Sequence, residues 1–353
     1  MERNVEIMNK IYLLAKKYIT QEKHAGNKAL KDCENIARRF DFQDIEDVIP
    51  DGRVNKSVSY YLDRMLRCVI MFFRLARYRN KIIVAGYPRA EPWILKNTYK
   101  KFFISNKSIL IVHDVESWRF EESRIDDFDV LNNANVLIVH NDKMKNRLIE
   151  SGVNKPHMII LDLFDYLLDN QVDRKKYKKA VVFAGNLKKS KFFLNEYINT
   201  KRNYDLDLYG VGIKENEKLP MRTHYHGGFS PEELPNVIDR GFGLVWDGDS
   251  IDTCSGKLGE YTRYNNPHKL SLYIAAGIPV IVWKYAAIAE FVEKNRIGYC
   301  VESLKDIDKL LNNISSDEYK ILQNNIKPLQ KRITKGDFLT KALQESLKYV
   351  HDM

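Results

Sequence analysis

Cysteine is scarce: the 353 residues hold four, Cys33, Cys68, Cys254 and Cys300, far apart and with no CxxC pair or repeated spacing. That pattern argues against a disulfide scaffold and gives no sign of a zinc site, and it fits a reducing compartment. Long apolar runs are missing too. No uncharged stretch approaches the roughly 18 residues needed to cross a bilayer, and the opening MERNVEIMNKIYLLAKK has too short an apolar core for a signal peptide. A cytoplasmic protein is expected, at most peripheral at the inner face of the membrane. No internal repeat or low-complexity tract breaks the pattern.

What is present in excess is positive charge, a formal net +10 with pI near 9.1. Excess Lys and Arg can serve nucleic acid, anionic lipid or phosphorylated small molecules. The lysines scatter along the whole chain, with no arginine-rich tail and no zinc-finger, RNA-recognition or homeodomain signature, so nucleic acid is not expected as a partner. Phosphate-bearing ligands and a membrane surface remain. At 353 residues and 44% apolar the chain can bury one large core or two moderate ones, and its length favours two domains.

Short β-type runs alternate with helical patterns: KIYLLAK (10–16), KIIVAGY (81–87), SILIVHD (108–114), VLIVH (136–140) and MIILDLF (158–164). After the charged stretch NQVDRKKYKK the pattern restarts with AVVFAGN (180–186), DLDLYGV (205–211), FGLVWD (242–247) and IPVIVW (278–283). Such alternation predicts βαβ units on parallel sheets buried on both faces. The reading is α/β, with two Rossmann-like domains facing a cleft, the N-terminal one over 1–167 and the second over 178–335. A C-terminal helical return over 336–353 is expected to pack back on the first. Ligands in such sheets bind outside the carboxyl ends of the strands.

The segment Tyr60 to Lys81, YYLDRMLRCVIMFFRLARYRNK, carries Arg64, Arg67, Arg74, Arg77 and Arg79 around an apolar centre. Two readings stand. It is a basic amphipathic helix touching anionic lipid, or an ordinary helix whose Val69, Ile70, Met71, Phe72 and Phe73 are core.

The most informative stretch is YNNPHKLSLYIAAGIPVIVW, from Tyr264 to Trp283. It reads as a Pro-broken polar loop, a helix opening near His268 and Lys269, a stop at Gly277 and a buried strand. A helix N-terminus beside a lysine attracts anions, because free N–H groups and the positive end of the macrodipole face outward. The plain alternative is an αβ unit with a surface lysine.

The lysine before LSLYIAAGIPVIV, with RGFGLVWDGD (240–249) and IVHDVESW (111–118), resembles the bacterial GT-B galactofuranosyltransferases and their relatives, the glucosyltransferases that extend glycans on serine-rich adhesins. GLVWDGDS, CSGKLGEY and YNNPHKLSLY resemble the galactofuranosyltransferase branch more closely. The resemblance runs over nearly the whole chain. It implies a UDP-sugar site on the second domain and a glycan acceptor, O-antigen or capsule repeat, held by the first, with self-association into a homo-oligomer as a further prospect. On the matching positions, FAGNLKKS (183–190) would wrap the diphosphate through Gly185, Asn186 and Lys189, and Lys269 would supply a second cation. UDP could then leave with no metal ion and no cofactor. Asp247 and Asp249 have DxD spacing but are read as sugar or ribose ligands, or turn caps, in preference to metal ligands. Tyr209 with Gly210 sits where the nucleobase is commonly held, or is simply core. Asn265, Asn266 and His268 would reach the donor, unless His268 only caps its helix.

Transfer with inversion requires a base for the acceptor hydroxyl. Asp114, at the end of SILIVHD, is the candidate, with His113 assisting and Glu116 in the same loop toward the acceptor. The alternative is that the pair ends a strand and caps a turn. His24 and Asn27, in TQEKHAGNKAL, are candidate acceptor contacts. The glutamate pair that retaining GT-B enzymes place before the AxG-P-V strand falls here on Tyr264 and Leu272, neither acidic, which favours inversion. Against these stand a UDP-glucose donor and a non-catalytic nucleotide-sugar-binding module.

Overall fold

The computed structural model describes residues 11–16, 27–48, 58–88, 93–120, 127–170, 172, 176–214 and 218–353. His24 lies outside them. The chain forms two compact units.

The first unit holds one six-stranded parallel sheet: β1 (Ile11–Lys16), β2 (Gln43–Asp47), β3 (Ile82–Tyr87), β4 (Lys107–Val112), β5 (Val136–Val139) and β6 (His157–Ile160), in the order β2-β1-β3-β4-β5-β6. The middle strands are the apolar runs of the sequence. Ile83, Val84, Ile109, Val136 and Leu137 are fully buried, as required of strands covered on both faces. This unit comprises Cys33–Leu161 and Leu339–Met353 besides β1. Its last helix, Asp337–Asp352, is tied down where Lys107 Nζ donates to the Val350 carbonyl at 2.7 Å and Tyr349 stacks on His157 at 4.2 Å.

The second unit takes Asp162–Phe338 together with the described part of Glu22–Asp32. Its sheet runs β12-β11-β10-β7-β8-β9, all parallel, from β7 (Lys176–Ala184), β8 (Asp205–Tyr209), β9 (Thr223–Tyr225), β10 (Arg240–Val245), β11 (Val280–Trp283) and β12 (Gly298–Val301). Helix His268–Ala275 carries six buried residues in succession, Leu270 to Ala275. It is gripped by the long helix Ser316–Lys335, whose Gln330 donates to the Ala275 carbonyl at 2.9 Å. That long helix starts in a capping box, Ser315 with Glu318, and stops at Gly336 in a left-handed conformation.

Three strands escape the sequence pattern: β2 (QDIED), β9 (THY) and β12 (GYCV). β2 and β9 are edge strands, β12 closes the other edge, and each is short with few fully buried residues. The charged run before Ala180 is not wholly irregular, since β7 already begins at Lys176, in register with Arg240.

The expectation that Val69, Ile70, Met71, Phe72 and Phe73 form core is corrected. Among the described side chains of helix Val58–Ala76, Cys68, Met71 and Leu75 are the buried ones, while Val69, Ile70, Phe72 and Phe73 are exposed. Residues 68, 71 and 75 share one face at helical spacing, and the other four point elsewhere.

Candidate active site

The second unit brings a set of the predicted residues to the carboxyl ends of β7, β8 and β10. Gly185 follows β7 and donates its N–H to the Tyr209 carbonyl at 2.9 Å. The carboxamide oxygen of Asn186 accepts from the N–H groups of Lys188 and Lys189 at 3.1 and 3.2 Å, which curls the loop into a tight turn. Lys188 and Lys189 themselves are exposed.

This loop touches the one after β8 backbone to backbone. A Cβ on Gly210, at φ +133°, would lie 1.8 Å from the Gly185 carbonyl oxygen. Only glycine fits both the space and the angle. Gly210→Ala is therefore expected to destabilise the protein by about 2–4 kcal/mol, strain and overpacking combined. Gly227→Ala, at φ +86° with nothing within 4 Å, should lose only about 1 kcal/mol. Urea unfolding of the two variants side by side checks the contrast.

Lys269, at the second position of helix His268–Ala275, reaches over Gly185. Its Cε lies 3.4 Å from where a Gly185 Cβ would be, its Nζ donates to Asp247 Oδ1 at 2.5 Å, and the same ammonium stands 5.3 Å above the Phe183 ring. One turn on, the Tyr273 hydroxyl accepts from the Ala184 N–H at 3.0 Å and donates to the Leu244 carbonyl at 3.3 Å, while its ring fills the space above Gly243. Tyr273, two residues before the helix ends at Ala275, thus pins the helix to the ends of β7 and β10. The sequence reading missed it, though its i+4 spacing from Lys269 puts both on one helix face.

The other candidates are already engaged to different degrees. Asp249 is exposed, and its carboxylate lies where a Gly256 Cβ would be, at the start of helix Gly256–Tyr261. Asn266 donates to the Asp162 carbonyl at 2.5 Å. His268 meets the Asp165 carbonyl at 3.3 Å and stacks on Tyr166 at 5.1 Å; burial, against that carbonyl contact, lowers its pKa to about 4, so the ring is neutral at physiological pH. The side-chain oxygen of Asn265 is buried with no hydrogen-bond partner. Such an atom calls for a donor from elsewhere. The Tyr209 ring is buried and stacked on His226 at 4.5 Å, its carbonyl accepts from Gly185, and the Gly210 N–H donates to the Gly227 carbonyl at 2.7 Å.

The second unit also holds two ionic clusters that sequence reasoning did not find. Asp207, fully buried, accepts from His226 at 2.9 Å and from Arg240 at 2.8 and 2.9 Å. Burial alone would raise its pKa, but the hydrogen bonds from His226 and Arg240 and the charge of Arg240 outweigh it and hold the carboxyl at about 2. Lys28, next to the half-buried Asn27, donates to Asp32 at 2.9 Å and to the Leu167 carbonyl at 3.0 Å, 5.2 Å above the Tyr166 ring. Burial pushes Asp32 up to about 6 despite that partner.

In the first unit, His113 and Asp114 follow β4, and the His113 N–H donates to the Tyr87 carbonyl at 2.6 Å. Asp114 and Glu116 share one guanidinium, Arg119 Nη1, at 2.7 and 2.9 Å. The buried Asp127 accepts from the Tyr87 hydroxyl and from the Ser117 N–H, the latter at 2.7 Å. Arg119 and Asp127 were not singled out from the sequence. The i,i+3 spacing from Glu116 was the available signal for Arg119; Asp127 had none. Among the described residues no group of three His, Cys, Asp or Glu side chains is placed to hold a metal ion.

Comparison with known proteins adds to this geometry. The model of the glucosyltransferase 3-like N-terminal domain matches residues 12–163, and that of the C-terminal domain matches 181–346. Beta-1,6-galactofuranosyltransferase WbbI of Escherichia coli is 30% identical over 326 residues, 91% of this chain and 94% of that protein. Glucosyltransferase 3 of Streptococcus gordonii is 25% identical over 248 residues, 69% and 72% of the two chains. Among solved structures, sucrose-phosphate synthase from Thermosynechococcus elongatus matches with a TM-score of 0.59 at 13% identity, over 97% of this chain and 98% of that one. The pneumococcal O-GlcNAc transferase GtfA, solved with UDP and GlcNAc, matches with a TM-score of 0.51 at 12% identity; the match takes in 81% of this chain but 60% of that enzyme's length. At such identities the solved structures speak for the fold alone, which is GT-B.

Proposed function

We propose, from the premise that this chain belongs to the glucosyltransferase 3-like family of GT-B glycosyltransferases, that it transfers galactofuranose from UDP-galactofuranose to a glycan acceptor with inversion and without a metal ion. The observation that carries this reading is Lys269: an ammonium at a helix N-terminus, lodged over Gly185 and held by Asp247. A diphosphate arriving there meets the N-terminal dipole, Lys269 and the exposed Lys189 of the facing turn. Lys269 exchanges Asp247 for phosphate, and Asp247, with Asp249, Asn265, Asn266 and His268 nearby in sequence, is left for the donor sugar. Gly185 and Asn186 shape the turn, and the uracil is assigned to the loop at Tyr209 and Gly210, whose main-chain bonds to Gly185, Gly227 and Tyr225 hold that loop in place.

The acceptor is a surface-polysaccharide repeat of the O-antigen or capsule type, and its contacts are assigned to His24, Asn27 and Glu116. Asp114, with His113, takes the proton of the acceptor hydroxyl as that oxygen bonds to the anomeric carbon. The bond from that carbon to the UDP oxygen breaks, and its electron pair leaves on the diphosphate, neutralised by the two lysines. Asp114→Asn is expected to lower turnover about a hundredfold with little change in UDP affinity, measured by transfer kinetics beside UDP titration.

Galactofuranose is preferred over glucose because the match to the galactofuranosyltransferase is higher in identity and spans more of both chains. Glucose is the second reading, since both matching domain models are described as glucosyltransferase 3-like. Purified protein offered UDP-galactofuranose, UDP-glucose, UDP-galactopyranose and UDP-N-acetylglucosamine separates them. Turnover of the furanose donor alone is the expected result; preference for UDP-glucose would replace the donor assignment, and UDP binding without turnover of any donor would overturn the transferase mechanism.

A further inference from the structure

Helix Val58–Ala76 presents eight large apolar side chains outward: Tyr61, Leu62, Met65, Leu66, Val69, Ile70, Phe72 and Phe73, each between 41% and 63% exposed. At 100° per residue they fill one unbroken arc of about half the helix circumference, with no charged residue inside it. That is far more contiguous apolar surface than a soluble protein leaves without purpose.

The charge around the arc decides its occupant. Asp63 is the one acid on the helix, and Arg67 neutralises it at 2.6 Å. Arg64, Arg67 and Arg74 sit beyond the borders of the arc, and exposed Arg77 and Arg79 follow its end. The neighbouring helix Lys96–Ile104 has three lysines and no acid, and Ile94 and Ile104 at its two ends are themselves more than half exposed. A second copy of this chain seated face to face would bring two arginine collars together, which a symmetric interface cannot relieve. Arg64, Arg67 and Arg74 are engaged by Tyr60, by Asp63 with the Val48 carbonyl, and by the Glu46 carbonyl, so a bilayer with anionic headgroups suits both features through the exposed pair: acyl chains take the arc and phosphates take the guanidinium groups of Arg77 and Arg79.

We infer that this face of the helix docks the protein on an anionic membrane surface. The helix lies in the plane of the interface, because no helix among the described residues is long and apolar enough to cross a bilayer. The arginines draw the protein to the surface, and the aromatic and aliphatic side chains then enter the headgroup boundary. The inference is independent of which sugar is transferred.

Flotation of the full chain with phosphatidylcholine vesicles, with and without phosphatidylglycerol, tests it. The wild type is expected to float with the anionic vesicles and to be released by salt. L62N/L66N/F73N should weaken that partitioning about a hundredfold, each change withdrawing a large apolar group from the bilayer. R77E/R79E should weaken it at least tenfold, on anionic vesicles only. Thermal unfolding and turnover with a water-soluble acceptor should stay unchanged in both, which separates lost docking from lost folding or lost catalysis. Failure of the wild type to float, or equal flotation of the asparagine variant, would overturn the inference. So would conversion of a wild-type oligomer to monomer by the asparagine changes with flotation intact, which would assign the face to a second copy.

Discussion

Lys269→Ala is expected to lower kcat for sugar transfer by about 10²- to 10³-fold, the loss seen when one charge-stabilising group is removed from a transition state, while the protein stays folded. The two halves of this expectation have separate causes. Lys269 and Asp247 are only partly buried, with side chains 19% and 29% exposed, so their ion pair contributes little to stability, about 1 kcal/mol or less. The helix that carries the lysine is held by Tyr273 on the ends of β7 and β10 and by Gln330 at its far end, and neither grip involves Lys269. During reaction, however, a full negative charge develops on the departing diphosphate, and this ammonium stands at the helix terminus over Gly185. An interaction that strengthens as the bond breaks appears in kcat more than in KM. Lys269→Arg, longer and forked, should recover little, because a planar guanidinium does not place its charge where the compact ammonium sits. Steady-state kinetics with urea unfolding of the same proteins checks both halves; an alanine variant with wild-type kcat would remove Lys269 from the chemistry.

How much of this was legible in the sequence differs by element. Central strands such as β3, β4 and β10 were readable as apolar runs, because strands covered on both faces must be apolar throughout. QDIED and THY were not, because edge strands need few apolar residues and neither run alternates cleanly. The donor loop was visible in FAGN and NNPHK, where glycine, proline and lysine act locally. Tyr273 was not, because its partner Ala184 is 89 positions away. The same holds for the ions beneath the site: Arg240 and Asp207 are 33 positions apart, and Asn266 bonds a carbonyl 104 positions away. Helix Val58–Ala76 marks another limit. An apolar stretch in sequence looks alike whether it faces a core or the outside, and only packing distinguishes Met71, fully buried, from Phe73, 60% exposed.

Replacing Asp207 by alanine is expected to lower the stability of the second unit at pH 7 by about 2–4 kcal/mol, because Arg240 then loses the carboxylate that receives its two hydrogen bonds and keeps only longer ion pairs, to Asp205 at 3.8 Å and Asp239 at 4.0 Å. Stability should also depend on pH through the same residue. Its carboxyl is held at about 2 in the folded protein against an ordinary 3.8. A depressed carboxyl stabilises above its unfolded value and loses that contribution as pH falls through the folded one, here from about 4 to about 2, worth roughly 2–3 kcal/mol. Above that window two other groups in the same unit oppose each other. His268, lowered to about 4 from 6.5, withdraws stability as pH falls between those values, since the unfolded state takes its proton first. Asp32, raised to about 6 from 3.8, returns stability as pH falls across nearly the same range. In the first unit His140, also lowered to about 4 by burial, withdraws stability in the same way as pH falls from 6.5 to about 4. Amide hydrogen exchange at pH 7, 5 and 3 should therefore find the first unit weakening by pH 5 and the second holding until below pH 4. In the Asp207→Ala protein the second unit should start weaker and lose the step below pH 4.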